Sequence, residues 1–168
     1  MKKAIVSVGI SASGKSTDAA KWLAEHEASK MLEGYEHAKN PRMEINRDSI
    51  RKSIMENNGQ KFSWDKWNWK NEGAVTKNAE GQLSDAALHG IDVYISDTNL
   101  NPKYRAQTIR RLEDYGYEVE VREFPVTLEE ALVRDRKREN SVGEGVIEKQ
   151  FLEWVEYKLQ YSCNTPTI

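Results

Sequence analysis

Gly9, Gly14, Lys15 and Ser16 stand at the fixed positions of G-x-x-x-x-G-K-S in the run Gly9-Ile10-Ser11-Ala12-Ser13-Gly14-Lys15-Ser16. That spacing suits one chemistry, the holding of a polyphosphate. The backbone N–H groups of the loop, from Gly9 through Ser11, Ala12, Ser13, Gly14, Lys15 and Ser16 to Thr17, can curl around phosphate oxygens. The positive end of a following helix would stand behind them. Gly9 and Gly14 leave room for the close approach, Lys15 would reach the β- and γ-phosphates, and the Ser16 hydroxyl would face a magnesium ion.

A nucleotide site does not define a reaction, so the acceptor side must come from elsewhere. Asp48 follows an apolar strand, where an acceptor hydroxyl could lie in line with a γ-phosphate. A carboxylate is a weak base; it would orient the hydroxyl and take its proton late. The same residue type also caps helices. Arg51, one helical turn on, could hold an acceptor phosphate or be an exposed helix arginine. Asp97 ends another apolar strand, the position of a Walker B aspartate, and could hold magnesium through water, fix an arginine or serve a plain turn; Asn99 offers a neighbouring polar contact. Arg134, Arg136, Lys137 and Arg138 form a basic cluster ahead of Gly143 and Gly145. Arg134 and Arg138, at i and i+4, would share a helix face as a mobile lid clamping phosphate oxygens, or form a solvated charged face. Phe62, Trp64, Trp67 and Trp69 could stack nucleic-acid bases or simply pack, and packing is the simpler reading.

These residues need a frame. The apolar run over residues 4–8 reads as a buried strand leading into the loop, and residues 17–27 read as a helix with Ala20, Leu23 and Ala24 at helical spacing. A polar stretch, 28–41, is too long for a tight connection and suggests a short helix or a surface excursion. Residues 43–45 read as a second strand, and Asn46, Arg47 and Asp48 offer caps to a helix over 49–55. A longer helix over 69–89, weakened by Gly73 and Gly81, precedes a strand over 92–96. Asn101 and Pro102 open a helix that Gly116 ends, residues 117–124 alternate as a strand, and Thr127 with Glu130 forms a capping box opening a helix to about residue 138. An amphipathic helix over 146–161 closes the chain. Strands alternating with helices imply an α/β fold with a mostly parallel sheet, whose ligands lie at the carboxyl ends of the strands. Three polar clusters fall there: the glycine loop, Asn46-Arg47-Asp48 and Asp97-Thr98-Asn99.

Composition narrows the classes. The 168 residues suit one domain with a sizeable core, and a net charge of −2 gives no global field for nucleic acid, though a local basic channel remains open. A single cysteine permits no disulfide framework and no cysteine-rich zinc site, which suits a reducing cytoplasm. The opening Met-Lys-Lys-Ala-Ile-Val superficially resembles a leader, but its apolar run is short and enters the glycine loop, so a strand is expected. No segment approaches membrane-spanning length. A guanine-reading Asn-Lys-x-Asp motif does not occur, and a large motor would need more chain; a small P-loop phosphotransferase fits best.

The glycine loop, residues 45–55 (INRDSIRKSIM), residues 95–102 (ISDTNLNP) and residues 134–138 (RDRKR) resemble, in order, the motifs of the phage 5′-polynucleotide kinases, with Glu72-Gly73-Ala74-Val75-Thr76 as a weaker fifth match. The resemblance implies an adenylate-kinase-like P-loop fold with a four-stranded parallel sheet. It also implies transfer of the γ-phosphoryl group of ATP, with magnesium, to a 5′-hydroxyl of DNA or RNA in the cytoplasm of a host. By position it makes Asp48 the general base, Arg51 an acceptor-side arginine, Asp97 the essential aspartate of the third motif, and Arg138 the lid arginine with Arg134 its neighbour. The best-known member adds a phosphatase domain; no Asp-x-Asp-Gly-Thr motif occurs here, so kinase activity alone is expected. A homo-oligomer is allowed by the resemblance, without a self-complementary surface standing out. Alternatives with the same chemistry phosphorylate 5-hydroxymethylpyrimidines within DNA, or a small metabolite or nucleoside. A nucleotide-dependent nucleic-acid binder is a further alternative, for which Asp48 and the lid arginines would be superfluous.

Overall fold

The computed structural model describes residues 1–33 and 40–163. Four strands, β1 (Lys2–Val8), β2 (Arg42–Ile45), β3 (Asp92–Ile95) and β4 (Tyr117–Glu123), form one sheet in the order β2-β3-β1-β4. Every neighbouring pair is parallel; Val6 lies opposite Ile95 on one side and Val121 on the other. Among the described residues six helices connect or flank the strands: α1 (Lys15–Glu33), α2 (Arg47–Asn57), α3 (Glu72–Leu88), α4 (Pro102–Asp114), α5 (Leu128–Arg136) and α6 (Glu144–Cys163). Two single 3-10 turns, Trp64–Lys66 and Trp69–Asn71, lie between α2 and α3. No helix among the described residues is long and apolar enough to cross a membrane.

The central strands are apolar because both faces are covered. On one face Ala4, Val6, Val93 and Ile95 pack with Leu83 and Ala86 of α3 and Leu112 of α4. On the other, Ile5 and Tyr94 meet Ala19 and Trp22 of α1. The two-residue strand period makes this division possible. A third apolar cluster joins Val8, Ile10 and Leu100 to Ala131, Ile147, Trp154 and Tyr157, fixing α5 and α6 beyond the sheet's carboxyl end. A fourth, Ile50, Met55, Phe62, Trp67 and Val75, seats α2 and the tryptophan segment on α3.

All four expected strands and six helices are present, with informative shifts. The first helix runs on to Glu33; Met31 and Leu32 lie on it almost fully exposed, so it shows no apolar stripe there. Thus the start of the 28–41 stretch is helix, and residues 34–39 lie outside the described residues. The 69–89 helix begins only at Glu72, since Trp69 opens a 3-10 turn capped by Asn68. Asn101 accepts from the N–H groups of Lys103 and Tyr104, with Pro102 at the first helical position. Only half of the capping box forms: Thr127 accepts from the Glu130 N–H at 3.2 Å, while the Glu130 carboxylate turns to Arg134.

Candidate active site

The carboxyl ends of β1, β2 and β3 hold one another. Ser7 Oγ donates to the carbonyls of Ile95 (3.1 Å) and Asp97 (2.8 Å), and the Gly9 N–H reaches the Thr98 carbonyl at 3.1 Å. The Arg47 N–H, at the start of α2, donates to Asp97 Oδ1 at 2.9 Å. Around this junction opens a cavity of about 1130 Å³. Its lining includes Ser11 to Thr17 of the loop, Asp48 and Arg51 of α2, Asp97, and Arg134 with Arg138. The structure thus gathers residues that are far apart in sequence into one space.

The two loop glycines serve different ends. A Cβ on Gly9 would stand 2.8 Å from Ser13 Oγ and 2.9 Å from Phe124 Cβ, so packing just past the end of β4 already requires glycine there. Gly14 has open space around it but a φ of +104°, a conformation that disfavours side chains. Lys15 is buried, its ammonium held by the Ile10 carbonyl, and lack of solvent together with the nearby Arg138 charge pulls its pKa down to about 8. Ser11 N–H donates to Gln150 Oε1 of α6 at 2.7 Å, tying the loop to the last helix.

Asp48 does not cap its helix. Asn46 does, accepting from the Ser49 N–H at 2.9 Å, so α2 starts at Arg47 and Asp48 lies within its first turn, exposed and facing the cavity. Arg51 donates to Asp48 at 2.5 Å and grips Glu72 with two parallel bonds, Nε to Oε1 at 2.8 Å and Nη2 to Oε2 at 2.9 Å. Glu72 also accepts from Arg47 (3.1 Å) and from the Trp67 indole (2.9 Å). The Arg51 bonds hold its carboxyl down at about 2, against the opposition of partial burial. Arg47 lines the cavity and Glu72 braces Arg51 behind it, roles the sequence reading missed, although Arg47 stood in the cluster at the end of the second strand and Glu72 in the weak fifth match.

Asn99 is a correction. Its amide donates to the carbonyls of Ser7 (2.8 Å) and Asp97 (3.1 Å), with φ at +47°, and it does not line the cavity. It holds the β1 and β3 ends together through that amide. The lid differs too. The fifth helix ends at Arg136, so Arg134 and Arg138 do not share it. The cause is Asp135, buried in the last turn, whose carboxylate accepts from Ser141 Oγ and from the N–H groups of Val142 and Gly143 (both 3.1 Å) and draws the chain round. Arg138 comes off that turn beside Asp135 at 3.6 Å, and Arg134 reaches the Ala12 carbonyl of the loop at 3.3 Å. The break is therefore anchored rather than loose.

Among the described residues no group of three or more histidine, cysteine, aspartate or glutamate side chains could form a metal cage. Ser16 and Asp97 nevertheless fit a magnesium ion that takes most of its oxygens from phosphate and water. Burial, with Asp48 adding like charge, raises the Asp97 carboxyl to about 6, and a cation beside it would relieve that strain.

Comparison with known proteins agrees with this geometry. Residues 5–157 match a family described as an AAA domain, and the chain belongs to that family. It is a P-loop, nucleotide-binding fold of the kinase type, with four parallel strands flanked by helices. Over 163 residues it is 31% identical to a protein of Autographa californica nuclear polyhedrosis virus named as a bifunctional polynucleotide kinase/RNA ligase. That match covers 92% of this chain and 21% of the viral one, so the chain spans about a fifth of its relative's length. In fold it resembles a chain of the Pnkp1/Rnl/Hen1 complex, with a TM-score of 0.59, 19% identity and coverage of 84% of this chain and 42% of that one. It also resembles the AvrRxo1-ORF1:-ORF2 structure with ATP, with a TM-score of 0.61, 20% identity and coverage of 91% and 47%.

Proposed function

We propose that this chain transfers the γ-phosphoryl group of ATP to the 5′-hydroxyl end of DNA or RNA. The observation that carries the reading is the two-sided cavity: a phosphate loop with a buried lysine on one side, and on the other a carboxylate whose neighbouring arginine is clamped by Glu72. A binder needs only the first side. The name of the viral relative supports the choice of a polynucleotide acceptor.

In this reading the loop N–H groups and Lys15 hold the β- and γ-phosphates, while Arg134 and Arg138 approach the donor from the lid. Ser16 and Asp97 would hold magnesium, directly or through water, and the ion would offset charge on the transferring group. Asp48 accepts a hydrogen bond from the 5′-hydroxyl and orients it in line with the γ-phosphorus. The new bond joins the 5′-oxygen to phosphorus, the bond to the β-phosphate oxygen breaks, ADP departs with that electron pair, and the hydroxyl proton passes to Asp48. Arg51 retains N–H groups beyond those given to Glu72 and Asp48, and these can meet a phosphate of the acceptor strand.

The test offers γ-labelled ATP and magnesium with three acceptors. They are a 5′-hydroxyl oligonucleotide, a 5′-phosphorylated oligonucleotide containing 5-hydroxymethylpyrimidines, and free nucleosides. Label on the first alone is the expected result. Label on the second or third alone would move the function to base modification or to a small acceptor. ATP binding without label anywhere would make the chain a nucleotide-dependent binder.

A further inference from the structure

The tryptophan segment divides into two functions. Trp67 is sunk, 4% exposed, with its indole N–H on Glu72; it is packing that also steadies Arg51. Trp64 and Trp69 differ. Their rings stack at 6.1 Å between centroids and 16° between planes, and both line the cavity that holds Asp48 and Arg51. Trp64 is rooted edge-on against the buried Phe62, with centroids 5.1 Å apart, while Trp69 stays 64% exposed.

We infer that Trp64 and Trp69 form a stacking platform for an unpaired nucleobase at the 5′ end of the acceptor strand. The inference rests on the transfer reading above and specifies its substrate. Position selects the acceptor over the adenine of ATP: the Arg51 guanidinium lies 5.6 Å from the Trp64 ring, so the platform is continuous with Asp48 and Arg51 on the acceptor side. Energetics select a planar ligand, because an exposed indole already stacked on a fixed neighbour leaves apolar surface in water that another π-face can cover. Charge agrees: Lys66 and Lys70, on the same two 3-10 turns, are exposed cations beside the platform, where a strand's phosphates would pass. Since every base has a π-face, the platform discriminates little among bases. It does require a base released from its duplex partner.

The experiment crosses two changes. Wild type, Trp69→Ala and Trp69→Phe are each given a short single-stranded 5′-hydroxyl oligonucleotide, and the same strand with an abasic 5′-terminal nucleotide. Equilibrium binding is read by anisotropy of a 3′ fluorophore, and transfer by kcat and KM. Trp69→Ala is expected to raise the acceptor Kd and KM by roughly 5- to 150-fold, as for loss of one base–aromatic stack, with kcat and the KM for ATP little changed. Removing the terminal base should cost wild type a similar factor and Trp69→Ala almost nothing more, while Trp69→Phe keeps most of the affinity. Equal losses on base removal in wild type and Trp69→Ala, with transfer intact, would overturn the platform and leave the kinase reading standing. Base- and Trp69-dependent binding without any transfer would support the platform and remove the kinase reading. Absence of binding to either strand would overturn the platform.

Discussion

Lys15 and Asp97 are displaced in opposite directions by burial. In the proposed transfer Asp97 acts ionised, beside a cation, and its carboxyl is raised to about 6; Lys15 acts protonated, on phosphate, and its ammonium is lowered to about 8. The profile of kcat/KM for ATP should therefore rise through about pH 6 and fall through about pH 8. Asp97→Asn should remove the acid limb along with nearly all transfer. It should also make the protein more stable at pH 8, by on the order of 1–2 kcal/mol in urea unfolding. Its carboxyl is raised above the ordinary 3.8, so the fold loses stability as pH climbs through 6. An Asp97→Asn variant that is less stable at pH 8 would refute that account. Glu72 has the opposite sign. Held at about 2 against an ordinary 4.5, it contributes stability that is complete above pH 4.5 and lost as pH falls towards 2. Glu72→Gln should flatten that acid limb of the stability curve. It should also raise the acceptor KM severalfold, since Arg51 loses its bidentate anchor and Arg47 a single bond; an unchanged acceptor KM would show that Arg51 is positioned without it.

At the scale of elements, the lid turn tests how Arg138 is placed. The buried Asp135 carboxylate gathers Ser141, Val142 and Gly143. Asp135→Ala takes the carboxylate from the Ser141 hydroxyl and the Val142 N–H, leaves the Gly143 N–H only Ser141 Oγ at 3.3 Å, and should cost about 1–3 kcal/mol in unfolding free energy. It should raise the KM for ATP while sparing the acceptor KM. A variant with unaltered ATP KM would separate the turn from donor binding. The same turn shows where sequence reading stopped. Periodicity carried the fifth helix on to Arg138, because nothing local marks a carboxylate that bonds six to eight residues ahead. Strands and helix starts were legible since their signals are local: the apolar run before Gly9, Asn101 with Pro102, and Thr127. The extension of α1 to Glu33 was not, because Met31 and Leu32 face solvent and leave no stripe to read.

For the molecule as a whole, a parallel sheet with strand order β2-β3-β1-β4 does the gathering. It places the ends of β1, β2 and β3 side by side, so that residues 15, 48 and 97 share one cavity. That convergence could be argued from the alternation of strands and helices. The partners that fix it could not. Side-chain direction is not written in spacing, so the tie that the Asn99 amide makes between two strand ends was not legible. Glu72 lies 21 residues from Arg51 and meets it only because the tryptophan segment folds back over α2. In the proposed function one cavity has a donor half and a separate acceptor half. Single-turnover transfer from ATP to a 5′-hydroxyl oligonucleotide by Asp48→Asn, with ATP affinity measured on the same sample, tests it most directly. The expected result is transfer slowed at least about 100-fold with ATP affinity unchanged, and wild-type turnover in that variant would contradict it.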